Sequence, residues 1–283
     1  MEWIPAYCKD EALAVQIRAA KEAGTPDAFD VWWLGQSGFL IQWNGQCLLF
    51  DPYLSDSLTR KYANTDKPHV RMSERVIDPA MLDMIDIVTS SHNHTDHLDA
   101  ETLRPLLSRN PDIRFVIPEA NRAFVSQRTG YPADFPIGLD DRAIRAIDGF
   151  TFYGIASAHN SVERDEQGHC KFLGYVVCFG SFSVYHSGDT VLYTGLEERL
   201  RQFDINVAFL PINGNDPSRG VAGNLNAAEA VSLARSVNIK CIIPHHYHMF
   251  RFNTADPEIF VREATERQQP YVVLRLGEHH RFS

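Results

Sequence analysis

His92-Asn93-His94-Thr95-Asp96-His97 places four potential metal ligands within six residues, in the pattern H-x-H-x-D-H. The preceding segment, residues 85–90, is apolar and β-branched, which is typical of a buried strand. The segment after the motif begins with the capping residue Asp99 and favours a helix. The motif is therefore predicted to lie on a strand-to-helix loop at the carboxyl edge of a sheet, where α/β enzymes commonly place reacting groups.

Side chains two residues apart in an extended segment point to the same side. We therefore expect His92, His94 and Asp96 to converge, with His97 approaching as the helix begins. The alternative is a polar loop that is rich in histidine by chance. Three histidines and an aspartate in this alternation are rare by chance, so the pattern favours a metal site.

Composition restricts the classes of partner. The 283 residues carry 27 basic and 36 acidic side chains, a net charge of −9, without a run of Lys or Arg. This balance argues against nucleic acid or an anionic membrane as the main partner and favours a small-molecule substrate. Five widely spaced cysteines without a C-x-x-C pair indicate a reducing compartment. With no signal-like N-terminus and no apolar stretch near the ~20 residues of a membrane span, we expect a cytoplasmic protein.

Residues 9–23 favour a helix that Gly24-Thr25-Pro26 ends, so residues 1–28 are predicted to form an N-terminal helical appendage, packed on the body or on a neighbouring subunit. The sequence therefore leaves open whether the chain forms a homo-oligomer. Residues 29–283 are predicted to form a single domain, with strands from residue 31 and a hairpin at Asn44-Gly45. Further strands are predicted at 85–90, 113–117, 143–147, 150–157, 172–179, 182–186, 206–210, 239–243 and 271–275, and helices at 99–108, 119–128, 195–202, 226–237 and 256–266. Strand-rich and mixed stretches alternate, which predicts an α/β fold of two packed sheets with helices outside, in four layers.

Other polar side chains stand where predicted apolar strands end: Asp51, His159, His186, Asp189, and the cluster His245, His246 and His248. A single histidine in such a place is more often a hydrogen-bonded structural residue than a ligand. The chain therefore offers several groups that could complete a metal site with the loop at 92–97, because ligands from different strands meet at the sheet edge.

The succession of H-x-H-x-D-H, a lone His, G-D-T and P-x-H resembles the metallo-β-lactamase superfamily. The resemblance continues at 32–39, 51–56, 91–99, 186–190, 210–214 and 223–230, which look like the branch containing L-ascorbate-6-phosphate lactonase. It covers nearly the whole chain from residue 31 onward. It implies the αβ/βα metallo-β-lactamase fold, two mixed β-sheets flanked by helices, in agreement with the layers expected above.

The resemblance also implies two divalent metal ions, zinc or manganese, with iron as a further option. Its ligand sets are His92, His94 and His159 for one ion, Asp96, His97 and His246 for the other, and Asp189 between them. His245 and His248 remain alternatives to His246. Asp51 and His186 are expected to orient the site from behind the ligands.

The function that follows is a metal-dependent hydrolase in which a hydroxide shared by the two metals attacks an ester, lactone or phosphodiester, with Asp96 as the catalytic residue that orients it and moves its proton. We expect a lactonase or esterase acting on an anionic, sugar-like small molecule. The alternatives are a phosphodiesterase or nuclease of the same fold, and a metal-binding protein without turnover. Substrate-binding candidates are Asn213, Arg219, Asn224, Tyr247 and His248, with Arg251 as a further pocket residue. Asn215 stands where the branch often has Arg, which puts ascorbate 6-phosphate itself in doubt.

Overall fold

The computed structural model describes residues 3–283, which form seven α-helices and thirteen β-strands. The helices are α1 (Asp10–Ala23), α2 (Ser57–Lys61), α3 (Ala100–Arg109), α4 (Arg122–Thr129), α5 (Leu196–Leu200), α6 (Ala227–Ser236) and α7 (Pro257–Glu266). The strands are β1 (Phe29–Gly35), β2 (Gly38–Trp43), β3 (Gln46–Phe50), β4 (Ile87–Thr89), β5 (Arg114–Pro118), β6 (Ile137–Leu139), β7 (Ile144–Ile147), β8 (Phe150–Ala156), β9 (Leu173–Phe179), β10 (Phe182–His186), β11 (Val207–Pro211), β12 (Cys241–His245) and β13 (His279–Phe282). Among the described residues, no helix is long and apolar enough to cross a bilayer.

The strands form two mixed sheets. The first has the order β13-β1-β2-β3-β4-β5-β6, antiparallel up to β3 and parallel from β3 to β6. The second has the order β12-β11-β10-β9-β8-β7, parallel from β12 to β10 and antiparallel beyond. Each sheet therefore has a parallel part and an antiparallel part, and loops that leave the carboxyl ends of parallel strands meet at one edge.

The two sheets pack face to face around a single core. The ring of Phe39 on β2 lies 4.3 Å from that of Phe209 on β11, and Phe29 on β1 lies 5.3 Å from Phe179 on β9. On the outside, α1 packs on β2 of the first sheet, and α6 packs on β11 and β12 of the second. The four-layer fold predicted from the sequence is confirmed.

Local signals explain several of the boundaries. Asn44 and Gly45 both have positive φ, 46° and 78°, which is the backbone of the tight turn expected for this hairpin. The side chain of Asp99 accepts a hydrogen bond from the Thr102 N–H and caps α3. Helix α6 begins with a reciprocal capping pair formed by Asn226 and Glu229.

The N-terminal helix belongs to the main core. Leu13, Ala14 and Ile17 of α1 are fully buried and join the same apolar cluster as the strands. The Lys21 ammonium contacts the carboxylate of Asp86, just before β4, at 2.6 Å. The appendage predicted at residues 1–28 therefore packs on the body of its own chain over its described part, while Met1 and Glu2 lie outside the described residues.

Two predictions of local structure were wrong. Residues 271–275 form no strand beyond a single bridge from Tyr271 to Ile242, because Pro270 and the turn at 276–277 limit the pairing. The loop at 92–97 is not extended: the N–H groups of His97 and Leu98 both donate to the carbonyl of His94, at 3.1 and 2.8 Å, and the loop is turned. Helix α2 and strands β6 and β13 were not predicted.

Candidate metal centre

The seven ligand candidates lie on four loops at one edge of the two sheets. The loop after β4 carries His92, His94, Asp96 and His97, whereas His159, Asp189 and His246 follow β8, β10 and β12. The first sheet supplies four of these side chains and the second sheet supplies three. The centre is therefore assembled between the sheets, where the carboxyl ends of their strands face each other.

The side chains form two groups whose ligand atoms lie within 4.8 Å of one another: His92, His94 and His159; and Asp96, His97, Asp189 and His246. The Asp189 carboxylate lies between the groups. Its Oδ1 is 2.7 Å from Nε2 of His246 and 3.3 Å from Nε2 of His97, and its Oδ2 is 3.5 Å from Nε2 of His159. One carboxylate thus contacts histidines of both groups, as a bridging ligand would.

The donor atoms fit divalent metal ions. The Nε2 atoms of His92, His97 and His246 and the Oδ1 atom of Asp189 are buried, and none of them makes a hydrogen bond of acceptable geometry among the described residues, although Oδ1 lies close to two of these nitrogens. Leaving a buried polar atom unsatisfied costs about 1–3 kcal/mol, so four such atoms aimed at one space indicate an absent partner. Nitrogen and carboxylate donors together suit zinc, manganese or iron.

The opposite ring nitrogens of the histidines are held by the protein. Nδ1 of His92 lies 3.0 Å from Ser91 Oγ, and Nδ1 of His97 lies 2.8 Å from Asp51 Oδ2. Nδ1 of His159 lies 2.8 Å from the carbonyl oxygen of Gly223, which fixes that nitrogen as the N–H donor. Such contacts leave Nε2 facing the centre and set the orientation of each ring.

The charged side chains of the centre belong mainly to the second group, which contains Asp96, His97, Asp189 and His246. Burial raises the pKa of the Asp189 carboxyl, but His246 and His97 outweigh it and hold this pKa well below its usual range. Burial lowers the pKa of His97, but Asp189, Asp96 and Asp51 outweigh it and raise this pKa well above its usual value. His97 therefore carries a proton between carboxylates in the metal-free protein, and a cation that binds there would displace this proton.

Asp51 and His186 support the ligands from behind. Asp51 is fully buried and accepts hydrogen bonds from the Ser91 N–H, the Thr89 hydroxyl and the Ser91 hydroxyl, besides its contact with His97. Nδ1 of His186 accepts from the Gly188 N–H at 3.2 Å, so its Nε2–H donates to the Ser37 carbonyl at 2.9 Å. This neutral ring holds the turn that presents Asp189.

Gly188 is required in this turn for two reasons. Its φ is 57°, in the left-handed region, and a Cβ at this position would lie 2.7 Å from Cβ of Ser91. The turn after β10 therefore lies directly against the residue that precedes His92. The two ligand-bearing loops can touch here only because residue 188 is a glycine, which has no side chain.

The three histidines at the end of β12 and just after it take different positions. His246, with a φ of 62°, directs Nε2 at Asp189. His245 is fully buried, lies 3.2 Å from Ser37 Oγ through its Nδ1 and stacks on His186. His248 is half-buried and is not part of either ligand group. The left-handed backbone at 246 lies directly after the end of β12, and of the three histidines only His246 joins a ligand group.

A cavity of about 720 Å³ opens over the centre, and His94, Asp96, His159, Asp189 and His246 form its floor. The five residues predicted to bind substrate are not among those that line it. Tyr247 is buried, stacks on Trp33 at 4.2 Å and donates its hydroxyl hydrogen to the carbonyl of Leu274. Tyr247 is therefore a core side chain that does not line the cavity.

The predicted polar candidates form a network behind the cavity wall. Arg219 Nη1 and Asn213 Nδ2 both donate to Asn253 Oδ1, at 2.8 and 2.9 Å, and Asn224 Nδ2 donates to Asn213 Oδ1 at 3.1 Å. Asn253 itself lines the cavity. The guanidinium of Arg219 therefore forms hydrogen bonds within the wall and does not face the cavity.

The sequence interpretation missed most of the wall. The cavity is lined by Lys61, Tyr62, Lys67 and His69 from the segment between β3 and β4, by Phe124 and Arg128 of α4, and by Phe250 and Phe252. These residues form no motif. The sequence feature that could have indicated the wall is the length of the segment between Phe50 and Ile87, because connections of this length in compact domains are usually functional.

The chain resembles known proteins over most of its length. The family model described as the beta-lactamase superfamily domain matches residues 30–246. A metal-dependent hydrolase from Caldivirga maquilingensis is 27% identical over 249 residues, which cover 87% of this chain and 95% of that protein. A probable L-ascorbate-6-phosphate lactonase from Salmonella choleraesuis is 24% identical over 271 residues, 84% of this chain and 75% of that protein. The structure of an isothiocyanate hydrolase from Delia radicum gut bacteria covers 90% of this chain and 99% of its own, with a TM-score of 0.72 and 19% identity, and shares the fold.

Proposed function

Because this chain belongs to the beta-lactamase superfamily, we propose that it is a hydrolase that depends on two divalent metal ions, zinc or manganese, and cleaves an ester or lactone bond in a small anionic molecule. The observation that carries the proposal is the position of Asp189, whose two carboxylate oxygens contact histidines of two separate ligand groups. A single carboxylate in this place can bridge two ions.

Divalent ions held by these two ligand groups would supply a water of lowered pKa, about 7, and hence a hydroxide nucleophile at neutral pH. Asp96 is the residue we assign to orient this nucleophile and accept its proton. It forms part of the cavity floor, and its Oδ2 accepts a hydrogen bond from Gln36 Nε2 at 2.8 Å, which fixes the carboxylate plane. Burial raises the pKa of Asp96, but His97 outweighs it, so the pKa is lowered and the group is ionised as a proton acceptor must be.

The substrate class is supported by the cavity and by one relative. A volume of about 720 Å³ suits a small molecule. The similar protein from Salmonella choleraesuis is named a probable lactonase of a sugar phosphate, which supports an anionic, sugar-like ester or lactone. A phosphodiesterase or nuclease would use the same ligands, but nucleic acid is bound mainly through positive surface, and the net charge of this chain is −9.

The proposal is tested by His94→Ala and Asp189→Ala, with His169→Ala, a partly exposed histidine in neither ligand group, as the matched control. Metal content is measured by mass spectrometry, and turnover on a panel of lactones, carboxylic esters, phosphodiesters and β-lactams. We expect His94→Ala to lose most of one ion, and both site variants to lose turnover by at least about 100-fold. Full turnover by either site variant would disprove the two-metal mechanism, and hydrolysis of β-lactams alone would contradict the substrate class.

A further inference from the structure

Three cationic side chains line the cavity above the metal centre: Lys61, Lys67 and Arg128. Within residues 3–283, none of them forms an ion pair with a carboxylate at the 4.0 Å limit. Other lysines and arginines of the chain do form such pairs, for example Lys21 with Asp86 and Arg199 with Asp141. Three carboxylates, Asp66, Asp96 and Asp189, line the same cavity. Asp96 and Asp189 belong to the candidate metal groups, so with metal bound the rest of the lining carries more positive than negative charge, which would steer anions inward.

Two of the cations hold defined places at the cavity wall. The guanidinium of Arg128 lies 4.3 Å over the ring of Phe124, and its Nη1 donates to the carbonyls of Asn93 and Leu98, at 2.9 and 3.1 Å, on the metal-ligand loop. Its Nε and Nη2 carry no hydrogen bond to the described residues. The ammonium of Lys67 lies against Gly220, where a built Cβ would be 1.9 Å from Nζ. Lys67 therefore reaches from the segment after α2 to the loop after β11.

The same wall carries a connected cluster of flat rings: Tyr62, His69, Phe250 and Phe252. Tyr62 and His69 are stacked at 4.2 Å, and His69 meets the edge of Phe252 at 4.5 Å. Nδ1 of His69 is occupied by its contact with the Lys67 carbonyl at 3.0 Å. Such a surface offers stacking and apolar contact to a flat group. Polar side chains such as Thr65, Thr95 and Asn253 line other parts of the cavity.

We infer that the cavity binds an anion joined to a flat apolar group, with the charge held by Lys61, Lys67 and Arg128 and the flat group placed against Tyr62 and His69. The inference rests on the proposed function and revises its substrate class: the ester or lactone cleaved at the metal centre belongs to an aromatic or similarly planar acid, in place of the sugar-like molecule that the relative from Salmonella choleraesuis suggests. Charged hydrogen bonds position the anion, and ring contacts exclude water from the reacting bond.

The test measures binding, without turnover, to the metal-loaded full chain by calorimetry at low salt. The probe is naphthalene-2-sulfonate. It is compared with methanesulfonate, which has the anion alone, with 2-naphthalenemethanol, which has the rings alone, and with glucose 6-sulfate, which has the anion on a sugar. We expect the probe to bind at least about tenfold more tightly than each comparison compound, because only the probe uses both parts of the wall.

Variants assign the binding to this wall. The double variant Lys61→Gln/Lys67→Gln should weaken the probe by about tenfold and leave 2-naphthalenemethanol unchanged. The control Lys171→Gln/Lys240→Gln removes the same charge from two surface lysines that pair with Glu163 and Asp204, and should have no effect. Tyr62→Ala should weaken both naphthalene compounds. Arg128 is left intact because it anchors the ligand loop.

Three results would overturn the inference: no binding of naphthalene-2-sulfonate, equally tight binding of glucose 6-sulfate, or equal weakening by the control double variant. None of them depends on hydrolysis. If the ester and lactone panel shows no turnover while the probe still binds as expected, the proposed function fails and the binding specificity stands. If turnover is found but the probe does not bind, the proposed function stands and the inferred binding specificity fails.

Discussion

Gln36 connects two ligands of the second metal group through one side chain. It lies in the turn between β1 and β2, is fully buried and has a φ of 50°. Its Nε2 donates to Asp96 Oδ2 at 2.8 Å and lies 3.0 Å from Nδ1 of His246. Its carbonyl accepts a hydrogen bond from the indole of Trp33 at 3.0 Å, which holds the turn itself. Gln36 is therefore a positioning residue for Asp96 and His246.

Gln36→Asn should lower the affinity for the second equivalent of metal by about 10–100-fold, the range typical for residues that orient ligands. Asn tolerates the positive φ but is one methylene shorter, so its amide no longer reaches Asp96. The measurement is a zinc titration against a chelating indicator. Gln42→Asn is the matched control, because Gln42 is a buried glutamine on β2 away from the turn. Equal affinities in the two variants would contradict the assigned role.

His186 makes the stability of the metal-free protein depend on pH. Burial lowers the pKa of this fully enclosed ring, whereas a histidine in the unfolded chain titrates near 6.5. At pH values between these two pKa values, the unfolded state binds one proton more than the folded state. The contribution of His186 is thus complete above pH ~6.5 and is lost as the pH falls below that value.

Replacing His186 by Gln removes this titration while keeping a donor for the Ser37 carbonyl. Between pH 7 and pH 5, we expect the free energy of unfolding of the variant to fall by about 1–2 kcal/mol less than that of the unmodified protein, which is the effect of one proton. Urea denaturation in the presence of a chelator gives both values. His169→Gln, a change outside the centre, should follow the unmodified protein, and parallel pH curves for all three proteins would exclude His186 as the source.

The four candidate ligands at 92–97 could be predicted from the sequence because they fall within one short motif. The addition of His159, Asp189 and His246 depended on the family resemblance, because a histidine at a strand end is more often structural, and the structure brings all seven residues together. The cavity wall was not predictable in this way. Lys61 and Lys67 lie in a stretch without periodicity, and Arg128 faces the cavity because α4 packs beside the loop at 92–97. Which polar side chain faces a cavity depends on tertiary contacts: Arg219, the more obvious anion-binding candidate, is instead turned towards Asn253.

At the scale of elements, α1 contributes to the stability of the core. Ile17 is fully buried against the first sheet, whereas Val15 on the same helix is 53% exposed. Ile17→Ala should lower the free energy of unfolding by about 2–5 kcal/mol, the cost of removing a large buried side chain. Val15→Ala is the matched control and should change it by no more than about 0.5 kcal/mol. Denaturant unfolding of the metal-loaded chain measures both, and similar values would show that α1 is not part of the core.

Two segments near the C-terminus show why strands cannot be predicted from apolar periodicity alone. β13 consists of His279-His280-Arg281-Phe282, a polar edge strand that exists because it pairs with β1, where Phe29 faces Phe282. Residues 271–274 are largely apolar and include two β-branched valines, but they lie beside β12 with one bridge only. Strand formation thus depends on whether a neighbouring strand has a free edge, whereas apolar periodicity indicates burial. At the ends of a sheet, a polar segment can therefore form a strand and an apolar segment can fail to form one.

At the scale of the whole molecule, the candidate metal centre joins the two sheets. Four of its side chains follow β4 of the first sheet and three follow strands of the second, and Gly188 brings the loops together against Ser91. The same place concentrates unsatisfied buried atoms and like-charged carboxylates in the metal-free protein. Metal binding should therefore stabilise the folded chain as a unit, since unfolding separates the ligands.

Removal of metal should consequently lower the melting temperature of the entire chain in a single transition. An ion present at 100 times its dissociation constant stabilises the folded state by about 2.7 kcal/mol, which corresponds to about 5–10 °C for a chain of this size. Calorimetry with and without a chelator measures the shift. Asp189→Ala is the control, because a protein that has lost the carboxylate between the two ligand groups should show a much smaller response to the chelator. A preparation that demonstrably contains two ions and yet melts at the same temperature after their removal would show that the sheets associate independently of the centre.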